Sequence, residues 1–507
     1  METRYLVVID FPGIKQFVFG SDRLVEIRGA SSILDKLNRE RIPGVVKERF
    51  GSNKSQCIFA GGGAGQFIID SDAESIHDLF EEIQAIVRRE TGGAMRLIYG
   101  IADLKDGYLH ALTSAIGNLD IKKREFPFDI ETNIHSGYLQ ECKSCSGTAA
   151  KRTTFGDESR LLCPVCSIKE DWGKEQELWD EFGRFTGEDV KEFRKKRPNV
   201  FDKIGKCCNA KQGFAALVYG DGNSMGRFVR EIDSAETFKE FSSLVDSSVR
   251  DACYEALEKN CPERNGYIPA AILLLGGDDV MVYLAADTAL GFASCFARAF
   301  ERLTRERIEK SSSREFFEKR LGKKGFTISL GAVIAKSHTP ISLMVSQAGE
   351  LLASAKEKGY RNKDGKYYTP AFIDFHFLNK FNQVSVEDCR RKNLTMVTPK
   401  GEKIRLFMGP YSIEDTECLM KSARALKKSG LPSSRLHKLG SSPFNGKVNG
   451  SLETLEVYGR SQKSHQTVIL DTMKKFGCFP LMPWKQGDDG ITTVMVDLVE
   501  ISGFVQV

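Results

Sequence analysis

Two stretches of the chain run through the same series of hydrophobic patterns. Residues 5–103 open on YLVVIDF, an apolar run of strand length. A helical period follows from about Asp22 to Phe50, then two strand-like runs around glycines in CIFAGGGAGQFIID. A second helical stretch from about Glu74 to Glu90 leads into the strand MRLIYGIAD. Residues 214–337 repeat this series: FAALVYGD, a helix from about Ala235 to Lys259, AAILLLGGDDVMVYLA around a turn, a helix from about Thr288 to Lys310, and FTISLGAVIA. Both read β-α-β-β-α-β, the ferredoxin-like order, so the pattern predicts a duplicated unit.

The copies differ where the difference is informative. Asp10 closes the first strand of one copy and Asp221 that of the other; Gly63 follows Asp10 by 53 residues, and Asp278 follows Asp221 by 57. Aligning AGGGAGQFII with LGGDDVMVYL sets Gly63 against Asp278 and Ala64 against Asp279. The first copy keeps turn glycines and a strand-end aspartate but has no acidic pair. It reads as a structural partner, and the second copy as the reactive one.

Between the copies the composition changes. Cys142, Cys145, Cys163 and Cys166 form C-x2-C-x17-C-x2-C, followed by charged helical stretches such as KEQELWDEFGRF. Two such pairs have the spacing of a four-thiolate zinc site with no open position, so the expected Zn2+ is structural. A thioredoxin-like redox role is the competing reading of a single pair. Beyond about Phe377 the chain is basic and helical, as in CLMKSARALKKSGLPSSRLHKL, and ends in a strand-like TTVMVDLVEIS. The expected fold is α+β: two ferredoxin-like palm domains (1–110 and 213–377), a linker and zinc-binding insert (111–212), and a small helical C-terminal domain (378–507).

Composition excludes more than it assigns. The 507 residues are 41% hydrophobic and 28% charged, the balance of a globular protein of several domains. Lys+Arg 73 against Asp+Glu 68 leaves a net +5, which permits contact with nucleic acid without arguing for it. The opening METRYLVVIDFPGIKQF lacks the pattern of a signal peptide, and no window approaches a membrane span. A cytoplasmic protein is expected, with the other nine cysteines as small apolar residues.

Asp221, Asp278 and Asp279 are the candidate catalytic carboxylates. Phosphoryl and nucleotidyl transfer bring an oxygen onto a phosphorus already ringed by negative oxygens, and Mg2+ (or Mn2+) held by a few rigid carboxylates relieves that charge. In a ferredoxin-like sheet the first strand neighbours the central hairpin, so the three can meet. Gly276 and Gly277 let the turn approach a ligand closely. Gly222, Asn223, Ser224 and Gly226 in DGNSMG offer backbone amides to phosphates. Gly-Gly-Asp-Asp alone is also ordinary turn chemistry; the long flanking strands, upstream Asp221 and decayed duplicate favour the metal site.

These residues resemble a known family. LVYGDGNSMG, LLLGGDDVMVYL, SLGAVIA and AGELLASAKEKG are similar to the second palm of the large polymerase-cyclase subunit of type III CRISPR interference complexes. LVVIDFPGIKQFVF and LVEIRGASSILDKLN resemble its inactive first palm, and IDFHFLN the exit from the second. The Cmr-type branch is the nearest.

The resemblance implies synthesis of cyclic oligoadenylate from ATP when target RNA binds a complex of guide RNA and other subunits. It implies that Asp278 and Asp279 are the catalytic pair, Asp221 a metal ligand and Lys356 a group that reaches the triphosphate. Asn223 and Ser224 depart from the family's second Asp and Asn in that loop, which keeps open a reaction joining ATP to S-adenosylmethionine. A non-catalytic nucleotide-binding scaffold is the alternative outside enzymes. Many relatives carry an N-terminal HD nuclease; here the first palm strand begins at residue 5 and the His77–Asp78 pair lies in a helix, so no DNase activity is expected.

Overall fold

The computed structural model describes residues 3–125, 140–147, 151–155, 158–174, 177–378, 385–398, 401–478, 482–487 and 490–506. In the first half, β1 (Arg4–Asp10), β2 (Ser55–Gly61), β3 (Ala64–Asp70) and β4 (Ile98–Asp103) form an antiparallel sheet in the order β2-β3-β1-β4. The apolar run Leu6–Ile9 is buried: β1 has a strand on each side and the helix Tyr108–Glu125 packs on it. A hairpin of β5 (Lys151–Phe155) and β6 (Glu158–Leu162) belongs to the insert.

The second half repeats the first. Its strands β7 (Phe214–Gly222), β8 (Ala270–Gly276), β9 (Asp279–Ala285) and β10 (Ile328–Lys336) run in the order β8-β9-β7-β10. That sheet is extended by β11 (Phe372–Phe377), parallel to β10, and by a short outer strand Tyr411–Ser412. The likeness reaches the register. The β2–β3 ladder slips between Cys57 and Phe59, and the β8–β9 ladder between Ile272 and Leu274. Asp10 pairs with Ala64 and Asp221 with Asp279, as the alignment of the two turns requires.

Each copy also carries a further helix, Tyr108–Glu125 on β1 and β4 and Ile341–Arg361 on β7, β10 and β11. The repeat boundaries read from the sequence, 103 and 337, fall short of both helices.

The halves pack reciprocally. The helix Leu24–Lys36 of the first lies on β8, and the helix Ala235–Asn260 of the second lies on β2. Phe59 and Phe238 meet edge-on across this boundary at 6.3 Å. The hairpin turns abut as well: a Cβ on Gly62 would stand 3.4 Å from the carbonyl oxygen of Gly276 and from the Cα and N of Gly277. The predicted helix from Asp22 to Phe50 is found as Leu24–Lys36, a π-helical turn Leu37–Arg41, and Ile42–Phe50.

The C-terminal region is mainly helical, with Ile413–Lys428, Ser433–Ser441, Gly446–Gly459 and Lys463–Lys475 beside a small four-stranded sheet. Of TTVMVDLVEIS, expected as a strand, only Thr492 lies in one, Gly490–Thr492; Met495–Ser502 is a helix packed on Ile413–Lys428 and Ser433–Ser441. A short apolar run carries no period that separates a buried strand from a buried helix, and packing decides it: Met495, Val496, Leu498 and Ile501 are all buried. Among the described residues no helix is long and apolar enough to cross a membrane.

Candidate metal and nucleotide site

The three aspartates meet where β7 ends and the β8–β9 hairpin turns. Asp221 is paired with Asp279 in the sheet, and the Gly222 N–H donates to the Asp278 carbonyl at 3.2 Å, tying the loop after β7 to the turn. Gly222 is glycine for want of space: a Cβ there would lie 2.9 Å from Asp278 Oδ2 and 2.7 Å from Met225 Cγ. Gly277 adopts φ +61, a left-handed conformation glycine takes without strain.

Burial pushes the Asp278 carboxyl up to about 8, and the neighbouring charges of Asp221 and Asp279 push the same way. Burial, with Asp221 beside it, pushes Asp279 up to about 6, opposed by Lys15 and Lys356. Three half-buried carboxylates thus repel one another with too little positive charge among them. An all-oxygen donor set with that imbalance, fixed at strand ends, fits Mg2+ or Mn2+.

Lys356 lies in this cluster. From the helix Ile341–Arg361 its Nζ is hydrogen-bonded to the Asp221 carboxylate and, at 2.9 Å, to the Gly222 carbonyl. The DGNSMG loop is less available than its sequence suggests. The Gly222 N–H is taken by Asp278 and the Asn223 N–H by the Thr327 carbonyl at 2.9 Å. The Asn223 amide donates to Thr327 Oγ1 at 2.9 Å, and the Ser224 hydroxyl is 2.8 Å from that of Thr369. These side chains brace the loop; Ser224 itself holds φ +60. Gly226 is exposed with nothing within 4 Å of a Cβ built on it.

Sequence reasoning missed three residues, two neighbours of the site and one counterpart in the first half. The Tyr219 hydroxyl is 3.3 Å from Asp279 Oδ1. Lys15, from the first half, stands over the Tyr219 ring at 4.7 Å, so a cation of one copy faces the carboxylates of the other. Lys123 is the third: its Nζ pairs with Asp10 Oδ2 at 2.9 Å, as Lys356 pairs with Asp221. Each lysine is the sixteenth residue of its helix, Tyr108 and Ile341 being the first. That repeat is a signal the sequence does carry.

Residues 214–364 match the family model of the Cas10/Cmr2 second palm domain. The matched segment contains Asp221, Asp278, Asp279 and Lys356. No curated protein matches the chain. Among solved structures, the Csm1–Csm4 cassette in complex with cA4 is similar over 99% of this chain and 70% of its own, with TM-score 0.59 at 14% identity. The cassette with pppApApA gives 0.58 at 14%, over 99% and 69%. Csm1 of T. onnurineus gives 0.57 at 16%, over 99% and 70%. At such identities the likeness is one of fold.

The four cysteines converge as their spacing requires. The Sγ atoms of Cys142, Cys145, Cys163 and Cys166 all lie within 4.8 Å of one another, and those of Cys145 and Cys163 are 3.6 Å apart. Tetrahedral zinc thiolates are separated by about 3.8 Å, given Zn–S bonds of about 2.3 Å. Cys163 caps the helix Pro164–Trp172, its sulfur accepting the Cys166 N–H at 3.4 Å. Hydrogen bonds from Cys145 and then Cys166 push the Cys163 thiol down to about 4, while Cys166 is pushed up by Cys145 and Cys163. Four crowded thiols cannot all ionise without a cation, so the set fits Zn2+.

The cluster is docked on the first half. Ser144 Oγ donates to Glu26 Oε1 at 2.6 Å, and the Lys169 ammonium to the Phe17 carbonyl. Gly29 and Gly173 let the helices Leu24–Lys36 and Pro164–Trp172 touch backbone to backbone; a Cβ on Gly29 would fall 1.7 Å from the Lys169 carbonyl oxygen. His77 is in no metal cluster among the described residues; its Nδ1 is hydrogen-bonded to the Tyr99 hydroxyl.

Proposed function

We propose that the chain is a metal-dependent nucleotidyl transferase that makes cyclic oligoadenylate from ATP. The observation that carries this reading is the meeting of Asp221, Asp278 and Asp279 with Lys356, inside the segment matching the Cas10/Cmr2 second palm. The similar cassettes carry cA4, pppApApA and cA3, which supports an oligoadenylate product.

In this reading Asp221, Asp278 and Asp279 would hold Mg2+ or Mn2+, which supply charge neutralisation at the phosphates and activation of the attacking oxygen when bound. Lys356 then exchanges Asp221 for a phosphate oxygen, since its Nζ is already at the mouth of the loop. Gly222 keeps that space open to Asp278. Each step forms a 3′–5′ bond: a 3′ oxygen displaces pyrophosphate from an α-phosphate and its hydroxyl proton is released. Zn2+ at the four cysteines would be structural.

The fold shared with Csm1 of a type III-A interference subcomplex supports assembly with other subunits, guide RNA and target RNA, the last as the activating ligand. Assignment to the Cmr-type branch rests on the sequence resemblance, because the family model covers Cas10 and Cmr2 together and the similar structures are Csm1 chains. We place the domains at 1–125, 126–212, 213–377 and 378–507; the sequence-based boundary at 110 falls inside the helix Tyr108–Glu125, which packs on β1 and β4, and so moves to the end of that helix.

A second reading has its own observation. Asn223, where the family has a second Asp, is committed to Thr327, leaving three carboxylates, a difference that supports a different acceptor such as S-adenosylmethionine. Mass spectrometry of products formed from ATP and Mg2+ by the assembled complex, with and without target RNA and S-adenosylmethionine, tests both. Cyclic oligoadenylate supports the first and an adenylated S-adenosylmethionine the second; no new nucleotide from a target-bound complex would mean a scaffold.

A further inference from the structure

The Gly-Gly-Asp-Asp turn is linked, through one aspartate, to the other half of the chain. The Gly277 N–H, which lies outside the hairpin ladder, donates to Asp246 Oδ1 at 3.2 Å. The same oxygen accepts from an Arg39 terminal nitrogen at 2.6 Å. Asp246 belongs to the second-half helix Ala235–Asn260, whereas Arg39 comes from the π-helical turn Leu37–Arg41 of the first. π turns recur at functional positions, where they interrupt an α-helix.

Around this contact is a charge network that fixes both partners. Arg39 Nε donates to Asp35 Oδ1 at 2.7 Å, and an Arg250 terminal nitrogen reaches the same oxygen at 3.0 Å. Arg250 also donates to Glu181 of the insert at 2.7 Å, and its Nε lies 3.5 Å from Asp246 Oδ2. Tyr254 closes the set on Glu181 at 2.7 Å. The Arg250 side chain is only 9% exposed and that of Asp246 15%, so these bonds act largely away from water. One half-buried carboxylate oxygen therefore joins a first-half guanidinium to the amide of the residue before Asp278.

We propose that Arg39 is a positioning residue for the metal site, setting through Asp246 the direction in which Asp278 and Asp279 leave the turn. The first half is then a working support of the second-half site. A change in the angle between the halves would reach the carboxylates through two hydrogen bonds that share one oxygen. This rests on reading Asp278 and Asp279 as metal ligands, and the test separates the two claims.

The test uses the full chain and the variants Arg39→Ala, Arg39→Lys, Asp246→Ala and Asp246→Asn. Residue-resolved hydrogen–deuterium exchange reads the Gly277 amide directly, and Mn2+ titration followed by electron paramagnetic resonance reads the site without nucleotide. Exchange at Gly277 should rise about tenfold or more in Asp246→Ala, as expected for loss of a hydrogen bond to a charged acceptor. It should rise less in Arg39→Ala and stay near wild type in Asp246→Asn, which keeps an acceptor oxygen. Mn2+ affinity should fall about tenfold in Arg39→Ala and recover in Arg39→Lys.

Arg39→Ala, with the more exposed side chain, remains informative should Asp246→Ala fail to fold. Unchanged Gly277 exchange and Mn2+ affinity in Arg39→Ala, with only a lower melting temperature, would overturn the inference and leave a merely structural ion pair. If wild type binds no Mn2+, the metal-site reading fails, and with it the role given to Arg39; Gly277 exchange then still reports whether Arg39 and Asp246 hold the turn.

Discussion

The halves follow one plan down to the bulge and the helix lysine, and they part company at the few residues around the turn. In the second half Gly222 follows Asp221, and the space a side chain would need holds the Asp278 carboxylate. In the first half the residue after Asp10 is Phe11, 2% exposed, whose N–H donates to the Gly63 carbonyl at 2.9 Å. That bond is the counterpart of the one from Gly222 to Asp278. Gly63 holds φ +85, and a Cβ on it would fall 2.0 Å from Ile14 Cδ1. Hydrophobic side chains fill in one copy what the other leaves open for carboxylates. An acidic site of this kind needs small neighbours as much as it needs the acids.

The largest expected effect comes from removing the feature that separates the copies. Asp278→Asn/Asp279→Asn should cut nucleotide synthesis by about 1,000-fold or more, since charge stabilisation is the main contribution at such a centre. Its melting temperature should hold or rise, because mutual repulsion is relieved; a product assay beside a thermal scan reads both. Cys163→Ser should abolish bound zinc by elemental analysis. It should also raise hydrogen exchange in the helix Leu24–Lys36, on which the insert is docked, while β7 to β10 stay protected.

Gly222→Ala makes the second copy resemble the first at one atom. The added Cβ would meet Asp278 Oδ2 at 2.9 Å, so synthesis should fall about 10- to 100-fold, the order expected for displacing a reacting group by about 1 Å. Lys356→Ala should lower kcat/KM about tenfold, an amount typical of one charged contact to phosphate. The matching change Lys123→Ala should leave synthesis unaltered, and an equal loss from both would break the distinction between the halves. The smallest effect on synthesis belongs to Gly63→Asp/Ala64→Asp, which should gain no activity and no bound Mn2+. Its cost is in stability, about 2–4 kcal/mol for a strained φ and a side chain forced onto Ile14, read as a lower melting temperature.

Much of this was legible along the chain because it depends on local pattern. Alternating strand and helix periods gave the duplicated βαββαβ order, and the strands carry it with the predicted turn alignment of Gly63 with Asp278. The cysteine spacing foretold a cluster, and the four sulfurs converge. The loop after β7 was read less well. Gly222 looked like a residue that bares a backbone amide, yet that amide is occupied, and what the glycine leaves free is the space of a Cβ beside Asp278. Asn223 looked like a further backbone amide for phosphate, and its N–H and side-chain amide are both bonded to Thr327, a residue 104 positions away.

What the sequence determined alone, then, is what a period of two or 3.6 residues, a turn glycine or a fixed ligand spacing can specify: the elements, their repetition, and which side chains could carry charge to a strand end. The tertiary structure decided what depends on two distant surfaces meeting. It brought Lys15 over Tyr219, set Arg39 on Asp246 beneath the turn, and made Met495–Ser502 a helix rather than a strand. Hydrophobic burial has no direction, and neither an apolar side chain nor a charge marks its distant partner in the chain, so contacts between the halves had to be seen in the fold.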